Sequence, residues 1–254
     1  MLKIIGSAAI AASLVFASAT SAFSPAEAPA AVRPAVAVTL PPAPQTQPQA
    51  QAQPAAVDPL VAHEHSHDSG LAPGQTAADY NAWLAASPAH RAEVRAFRDH
   101  LAAQGVDGIV PVWQLIRTSS SWRQCGAEPF EVAPADKWQH IVDTLKFVRD
   151  DVVPAVGQVE ALSAYRNESL NACSAGAPRS AHRLFFALDL TPVAADVSRE
   201  QMIREICRAH ARDGRAYDAG LGFYSGKRFH VDSNGFRKWG PDGRGATSPC
   251  TTYA

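Results

Sequence analysis

The chain has 254 residues, 46% of them apolar, with 23 lysines and arginines against 24 aspartates and glutamates, for a formal net charge of −1. That length suffices for one sizeable core, and a near-neutral balance without any block of basic residues excludes a surface built for nucleic acid.

Residues 1–22 combine a basic start at Lys3, an apolar run over residues 4–16 and small residues at Ala17, Ala19, Thr20 and Ala22. A run that short between such flanks is the pattern of a secretory signal peptide, with an uncleaved anchor as the other reading. It predicts an exported, periplasmic or extracellular protein without stable membrane insertion after cleavage. Residues 23–75 are assigned to a tether. Alanine, proline and glutamine dominate up to about residue 62, a composition that buries too little apolar surface to offset ordering entropy. The tether closes on His63-Glu64-His65-Ser66-His67-Asp68. Such a tract either binds zinc or copper weakly or is a solvated linker end, and it is kept out of the site.

Residues 76–254 are expected to fold. A helix is predicted over 89–104, with Val94, Phe97 and Leu101 on one face, Ser87-Pro88 as its start and Gly105 as its stop. A strand or extended segment follows over 109–116, then a polar loop over 118–121. The stripe of Trp138, Ile141, Val142, Leu145 and Val148 predicts a second helix over 136–152, with Trp138 in the core and His140 exposed. A strand over 159–165 leads to Arg166 and a short helix over 167–172. Ser198 opens another helix, reaching about residue 211, through a capping-box pattern with Gln201. Cys125, Cys173, Cys207 and Cys250 are too widely spaced for a zinc ribbon, and export favours two disulfides. Three pairings are open; Cys125 with Cys173 and Cys207 with Cys250 is the one expected, the second pinning the tail.

Two stretches carry candidate chemistry. The first runs from Ser180 through His182 to Asp189; the second is Phe229-His230-Val231-Asp232. His182 and Asp189 are too far apart for one helical turn, so a loop running into a strand is required. Leu184, Phe185, Phe186, Ala187, Leu188 and Leu190 supply the strand. A period of two puts Arg228, His230 and Asp232 on one face of a second strand. His182, Asp189 and His230 would then form the three-ligand set of a catalytic zinc ion (Zn2+), which leaves one position for water. The same residues at these spacings are also compatible with histidines that are merely packed.

Ser163-Ala164-Tyr165-Arg166, Asn171, Gly176-Ala177-Pro178-Arg179-Ser180-Ala181-His182 and Ala187-Leu188-Asp189 together resemble the zinc D-alanyl-D-alanine metallopeptidases of bacterial cell walls. Gly222-Phe223-Tyr224, the stretch from Phe229 to Asp232, and Trp239 resemble its C-terminal-domain subgroup. Phe185 departs from the pattern, which has glycine there, and this implies an altered turn or a narrower cleft. The resemblance implies an α+β fold of the hedgehog and D-Ala-D-Ala peptidase kind: a small, mostly antiparallel sheet, helices mainly on one side, and zinc in a groove. It also implies cleavage of peptidoglycan peptides, with His182, Asp189 and His230 on the metal and Arg166 gripping a carboxylate or stabilising the developing charge. The expected protein is a monomer.

A general base is needed, yet the family's positions for it hold Lys227 and Arg228. Asp232, sharing a strand face with His230, is the expected catalytic base, with Asp218 and Glu205 as substitutes. The missing base also admits a non-catalytic wall-binding module. A disulfide-stapled structural protein without metal is the third reading.

Overall fold

The computed structural model describes residues 58–62 and 71–253; the predicted signal peptide, the tether up to residue 57 and the His-rich tract lie outside them. Leu60, Ala62 and Gln75 are buried, so packing reaches back into the stretch that composition assigns to the tether.

The described elements are α1 (Ala77–Ala86), α2 (Pro88–Ala103), α3 (Val112–Leu115), α4 (Trp138–Phe147), α5 (Val153–Val156), β1 (Val159–Ser163), α6 (Glu168–Cys173), β2 (Ala187–Pro192), α7 (Arg199–Asp213), β3 (Gly220–Phe223), β4 (Phe229–Asp232), β5 (Arg237–Trp239) and α8 (Cys250–Tyr253). This is an α+β architecture around one small open sheet of order β1-β2-β4-β3-β5. Every pairing is antiparallel except that of β3 with β5, which makes the sheet mixed. Along the strands, Leu188, Leu190, Leu221, Phe223, Phe229 and Val231 alternate with polar or small residues and are fully buried. The period of two thus sends one face of the sheet into the core, each large side chain contributing roughly 1.5–3 kcal/mol by burial.

The helices follow local chemistry. Ser87 caps α2 by accepting from the Ala89 amide, Pro88 sits in its first turn, and Val94, Phe97 and Leu101 are buried as their spacing predicts. α1 was not anticipated from its Ala-rich sequence; a capping box between Thr76 and Asp79 starts it. The strand expected over 109–116 is instead a turn and the single-turn α3. Pro111 fixes an extended residue directly before that helix, and the chain pairs only beyond it, through a lone bridge between Arg117 and Phe130. Over 136–152 the helix opens into a π turn, Val148–Val152, before α5. Pro154 lies within α5, and the wider turn relieves the clash between its ring and the carbonyl four residues earlier.

Asp151 in that π turn is 3% exposed. Burial, reinforced by neighbouring Asp213, pushes its carboxyl up to about 6 against the pull of Arg212. The folded state therefore holds a proton that the unfolded state releases near pH 4, and the associated stability is lost as pH rises through 6. Asp151→Asn removes this loss at the cost of an ion pair to the largely exposed Arg212, worth little. The melting temperature of the variant relative to wild type should climb between pH 4 and pH 7; a constant difference would refute the assignment.

The expected disulfides are present: Cys125 joins Cys173 between the 118–129 loop and α6, and Cys207 joins Cys250 between α7 and α8. Among the described residues no helix is long and apolar enough to cross a membrane.

Candidate metal centre

Directly opposed residues on neighbouring antiparallel strands place their side chains on one face of a sheet. Across this sheet Ser163 opposes Asp189, Asp189 opposes His230, His230 opposes Gly222, and Gly222 opposes Trp239. One transverse row therefore sets Asp189 beside His230, on the face away from the apolar core residues. The third member, His182, comes from the 3-10 turn Ala181–Leu184 that precedes β2.

That turn ends at Phe185, whose backbone is left-handed (φ 60°), a conformation costing a non-glycine residue about 1–2 kcal/mol. Its side chain is fully buried, against Phe97 at 5.6 Å and Tyr165 at 6.0 Å between ring centroids. Of the altered turn and the narrower cleft expected from this residue, the structure has the altered turn: the ring fills the core and offsets the backbone cost there.

Each histidine is oriented through the nitrogen it does not offer to the cluster. His182 Nδ1 donates to the Ala164 carbonyl at 2.6 Å, leaving Nε2 3.3 Å from Asp189 Oδ1. His230 Nε2 donates to Asp232 Oδ2 at 2.7 Å, and its Nδ1 faces Asp189 Oδ1 at 3.2 Å. One ligand atom from each of His182, Asp189 and His230 lies within 4.8 Å of the others, so the group can hold a metal ion. Two imidazoles and a carboxylate, each steadied by a carbonyl, a carboxylate or a guanidinium, suit a borderline divalent metal.

The cations and hydroxyls around Asp189 are as ordered as the ligands. Arg166 and Arg228 both donate to its Oδ2, at 2.6 and 2.7 Å, and the Tyr224 hydroxyl donates to Oδ1 at 2.9 Å. Arg166 is held in turn by Ser163 Oγ at 3.1 Å. Burial alone would raise the Asp189 carboxyl, but His182, Arg166 and the hydrogen bonds hold it well below the usual range. Burial, with Arg166 beside it, pushes His182 down to about 4, so its imidazole is neutral at pH 7. Burial also disfavours charge on His230, yet the bonds to Asp189 and Asp232 outweigh it and raise its pKa. Loading the site removes that proton, so metal affinity falls as pH drops. Burial and the Asp189 charge together raise the Tyr224 phenol.

Asp232 shares the face of His230 as the period predicts, but its surroundings do not fit the role of general base. It is 1% exposed and meets the His230 nitrogen directed away from Asp189. Arg237 grips both its oxygens, at 2.9 and 2.7 Å, and the Asn234 amide donates at 2.8 Å. These partners outweigh burial and hold its carboxyl at about 2, too weak a base to accept a proton from water near neutrality. It orients His230. Of the substitutes, Glu205 is taken up by Arg204 and Arg208, and Asp218 ends the 3-10 turn Gly214–Tyr217; neither hydrogen-bonds to the cluster.

Two glycines make room for this arrangement. A Cβ on Gly220 would stand 2.4 Å from Asp232 Oδ2, and one on Gly222 would stand 2.0 Å from the Trp239 indole, whose ring lies 5.4 Å from that of His230.

Sequence reasoning did not find the roles of Tyr224, Arg228 or Arg237. The period that pairs His230 with Asp232 also carries Arg228, so that signal was at hand; the reach of Arg237 back to Asp232 is set by a turn that no spacing rule shows. Searches against protein-family models, curated proteins and solved structures returned no match.

Proposed function

We propose that this chain is an exported zinc peptidase that cleaves peptidoglycan stem peptides or cross-links, of the D-alanyl-D-alanine metallopeptidase kind and with the corresponding fold. The observation that carries the reading is the convergence of His182 Nε2, Asp189 Oδ1 and His230 Nδ1, each side chain buried and oriented from behind. Their N2O donor set is that of a catalytic zinc site. Two disulfides fit an oxidising compartment. Each residue of the Ser163-Ala164-Tyr165-Arg166 motif except the tyrosine serves the cluster: a hydroxyl steadies Arg166, a carbonyl steadies His182, and the guanidinium reaches Asp189.

Zinc would be held by His182, Asp189 and His230, and would supply a polarised carbonyl and a water made acidic enough to attack it. The protein groups then divide the remaining work apart from the proton transfer from water to the leaving amine, which none of Asp232, Glu205 and Asp218 is placed to carry. Arg166, 11% exposed and touching both His182 and Asp189, stabilises negative charge developing on the carbonyl oxygen. Asp232 and Arg237 keep His230 in one tautomer and one orientation. The Tyr224 hydroxyl, 2.9 Å from Asp189, keeps its proton and steadies the carboxylate.

A second reading, a wall-binding module without hydrolysis, is favoured by one specific feature: Lys227 and Arg228 occupy the positions where the resembled family carries its base, and Arg228 bonds to Asp189.

Digestion of purified peptidoglycan, with mass analysis of the released fragments, tests both. Wild type with zinc is expected to release D-alanine or split cross-linked dimers, and His182→Ala to release neither, a fall of at least about a thousandfold given the loss of one of three ligands. Wall fragments that stay intact despite measurable binding favour the second reading. Equal release by His182→Ala would remove the cluster from the mechanism.

A further inference from the structure

At the outer edge of the sheet, beside β1, lies a cavity of about 790 Å³ that none of the cluster residues lines. Leu71, Val112, Trp113, Val159 and Val193 supply apolar wall, and the volume is in the range of ligand pockets. β1 is the end strand, so its backbone groups alternate between the β2 side and the free side. Two neighbours fix the parity. The Val193 amide donates to the Gln158 carbonyl at 2.9 Å across the pair, whereas the Ala161 amide turns outward to Gln114 Oε1 at 3.1 Å. The Ala161 carbonyl likewise accepts from Arg117 Nη1, at 2.7 Å. Val159 has the parity of Ala161 and opposes Pro192, which has no N–H to give, so its own amide and carbonyl point outward. Neither finds a partner among the described residues, although Val159 is only 3% exposed. Buried backbone groups left unpaired are costly and rare. The fully buried Arg117, also in the lining, has a donor to spare. Its Nε goes to the Gln75 carbonyl and its Nη1 to Glu160 and Ala161, while Nη2 has no acceptor among the described residues.

We propose that this edge is a docking site for an extended, uncharged apolar segment of a partner protein, added as a short further strand beside Val159. Such a segment brings a carbonyl and an N–H at the spacing a strand edge needs, and its alternate side chains enter the cavity. A purely apolar occupant would fill the volume and leave both backbone groups unpaired. Charge narrows the choice: Arg98 and Arg117 are balanced in the lining by Asp107 and Glu160, so the cavity attracts neither an acidic nor a basic segment. Edges that must stay free are blunted by lysine or proline, and Gly157-Gln158-Val159 has neither. Gln114 and Arg117 close the edge at Ala161, which confines the contact to its start. Val159 stands about 13 Å along the strand from Ser163, the member of β1 in the metal row. A docked segment would thus hold the domain while the cluster stays open.

The probe is the blocked pentapeptide acetyl-Ala-Val-Ala-Val-Ala-amide, added to the full chain while hydrogen exchange at the Val159 amide is followed by NMR. Saturable binding with a dissociation constant below about 1 mM is expected, and at saturation that amide should exchange about tenfold more slowly or better. The fully N-methylated peptide keeps the side chains and loses every N–H, and should bind about tenfold more weakly. Replacing both valines of the probe with aspartate should weaken binding as well. Val112→Asp, on the cavity wall, should abolish the response while the Leu190 amide in β2 stays slow, which shows that the sheet is intact. No saturation by 1 mM, equal affinity for the N-methylated or the acidic peptide, or a Val159 amide that the probe does not slow overturns the docking edge. So does a response centred on His182 and His230. None of these readouts involves metal or hydrolysis, so the peptidase reading is judged separately.

Discussion

Replacing Asp189 with alanine is expected to lower the unfolding free energy of the metal-free protein by about 3–5 kcal/mol, and to abolish metal binding. The side chain is 1% exposed and is the shared counter-ion of Arg166 and Arg228, as well as the acceptor for Tyr224 and a partner of His230. Removing it leaves two guanidiniums facing each other in a poorly hydrated site. The lost transfer energy of so small a side chain is minor by comparison. A loss of that size is a large fraction of the roughly 5–15 kcal/mol that holds a domain together. Urea denaturation measures it. Combining Asp189→Ala with Arg228→Gln should recover part of the loss, because the second change removes surplus charge. A midpoint unchanged by Asp189→Ala would mean that the carboxylate is not the electrostatic hub described here.

Gly222→Ala is expected to separate metal binding from turnover. The added methyl would stand 2.0 Å from the Trp239 indole, so that ring must leave the row it shares with His230. Forcing volume into a packed site costs about 1–3 kcal/mol, which the fold can absorb. None of the three ligands lies on β3, so metal content should stay near that of wild type. On the proposed function, hydrolysis of wall fragments should fall about tenfold to a hundredfold, since the indole lies 5.4 Å from the His230 ring and small misplacements beside a reacting centre cost that much. Metal content is measured by elemental analysis and turnover by fragment release. Loss of both together would show that Trp239 supports the ligands rather than the substrate.

The parts of the molecule set by short-range pattern could be read from the chain. The α2 and α7 starts follow from Ser87 and Ser198, and the alternation in β2 and β4 follows from their apolar residues. That the four cysteines form two disulfides followed from the export pattern, while their spacing left three pairings open, of which the expected one is present. His182, Asp189 and His230 were singled out by the family resemblance, because their spacing, although it calls for a turn and two strands, suits packed histidines equally well. What escaped depended on contacts across the fold. Asp232 and Arg228 lie on the same face, and sequence gave no way of telling that Arg237 would neutralise the first while the second turned toward Asp189. Phe185 could be seen to replace glycine, but only its packing on Phe97 and Tyr165 shows that the ring goes inward. Residues 109–116 had the composition of a strand and lacked a partner strand, which composition does not report.

Because two of the three candidate ligands, Asp189 and His230, hang on one transverse row, the site also acts as a check on how the strands were assembled. A slip of β4 by a single position against β2 would bring Val231 opposite Asp189 and turn His230 toward the oily interior. Misregistered molecules would then lack the three-residue cluster, so a metal ion bound there would preferentially stabilise chains that had paired correctly.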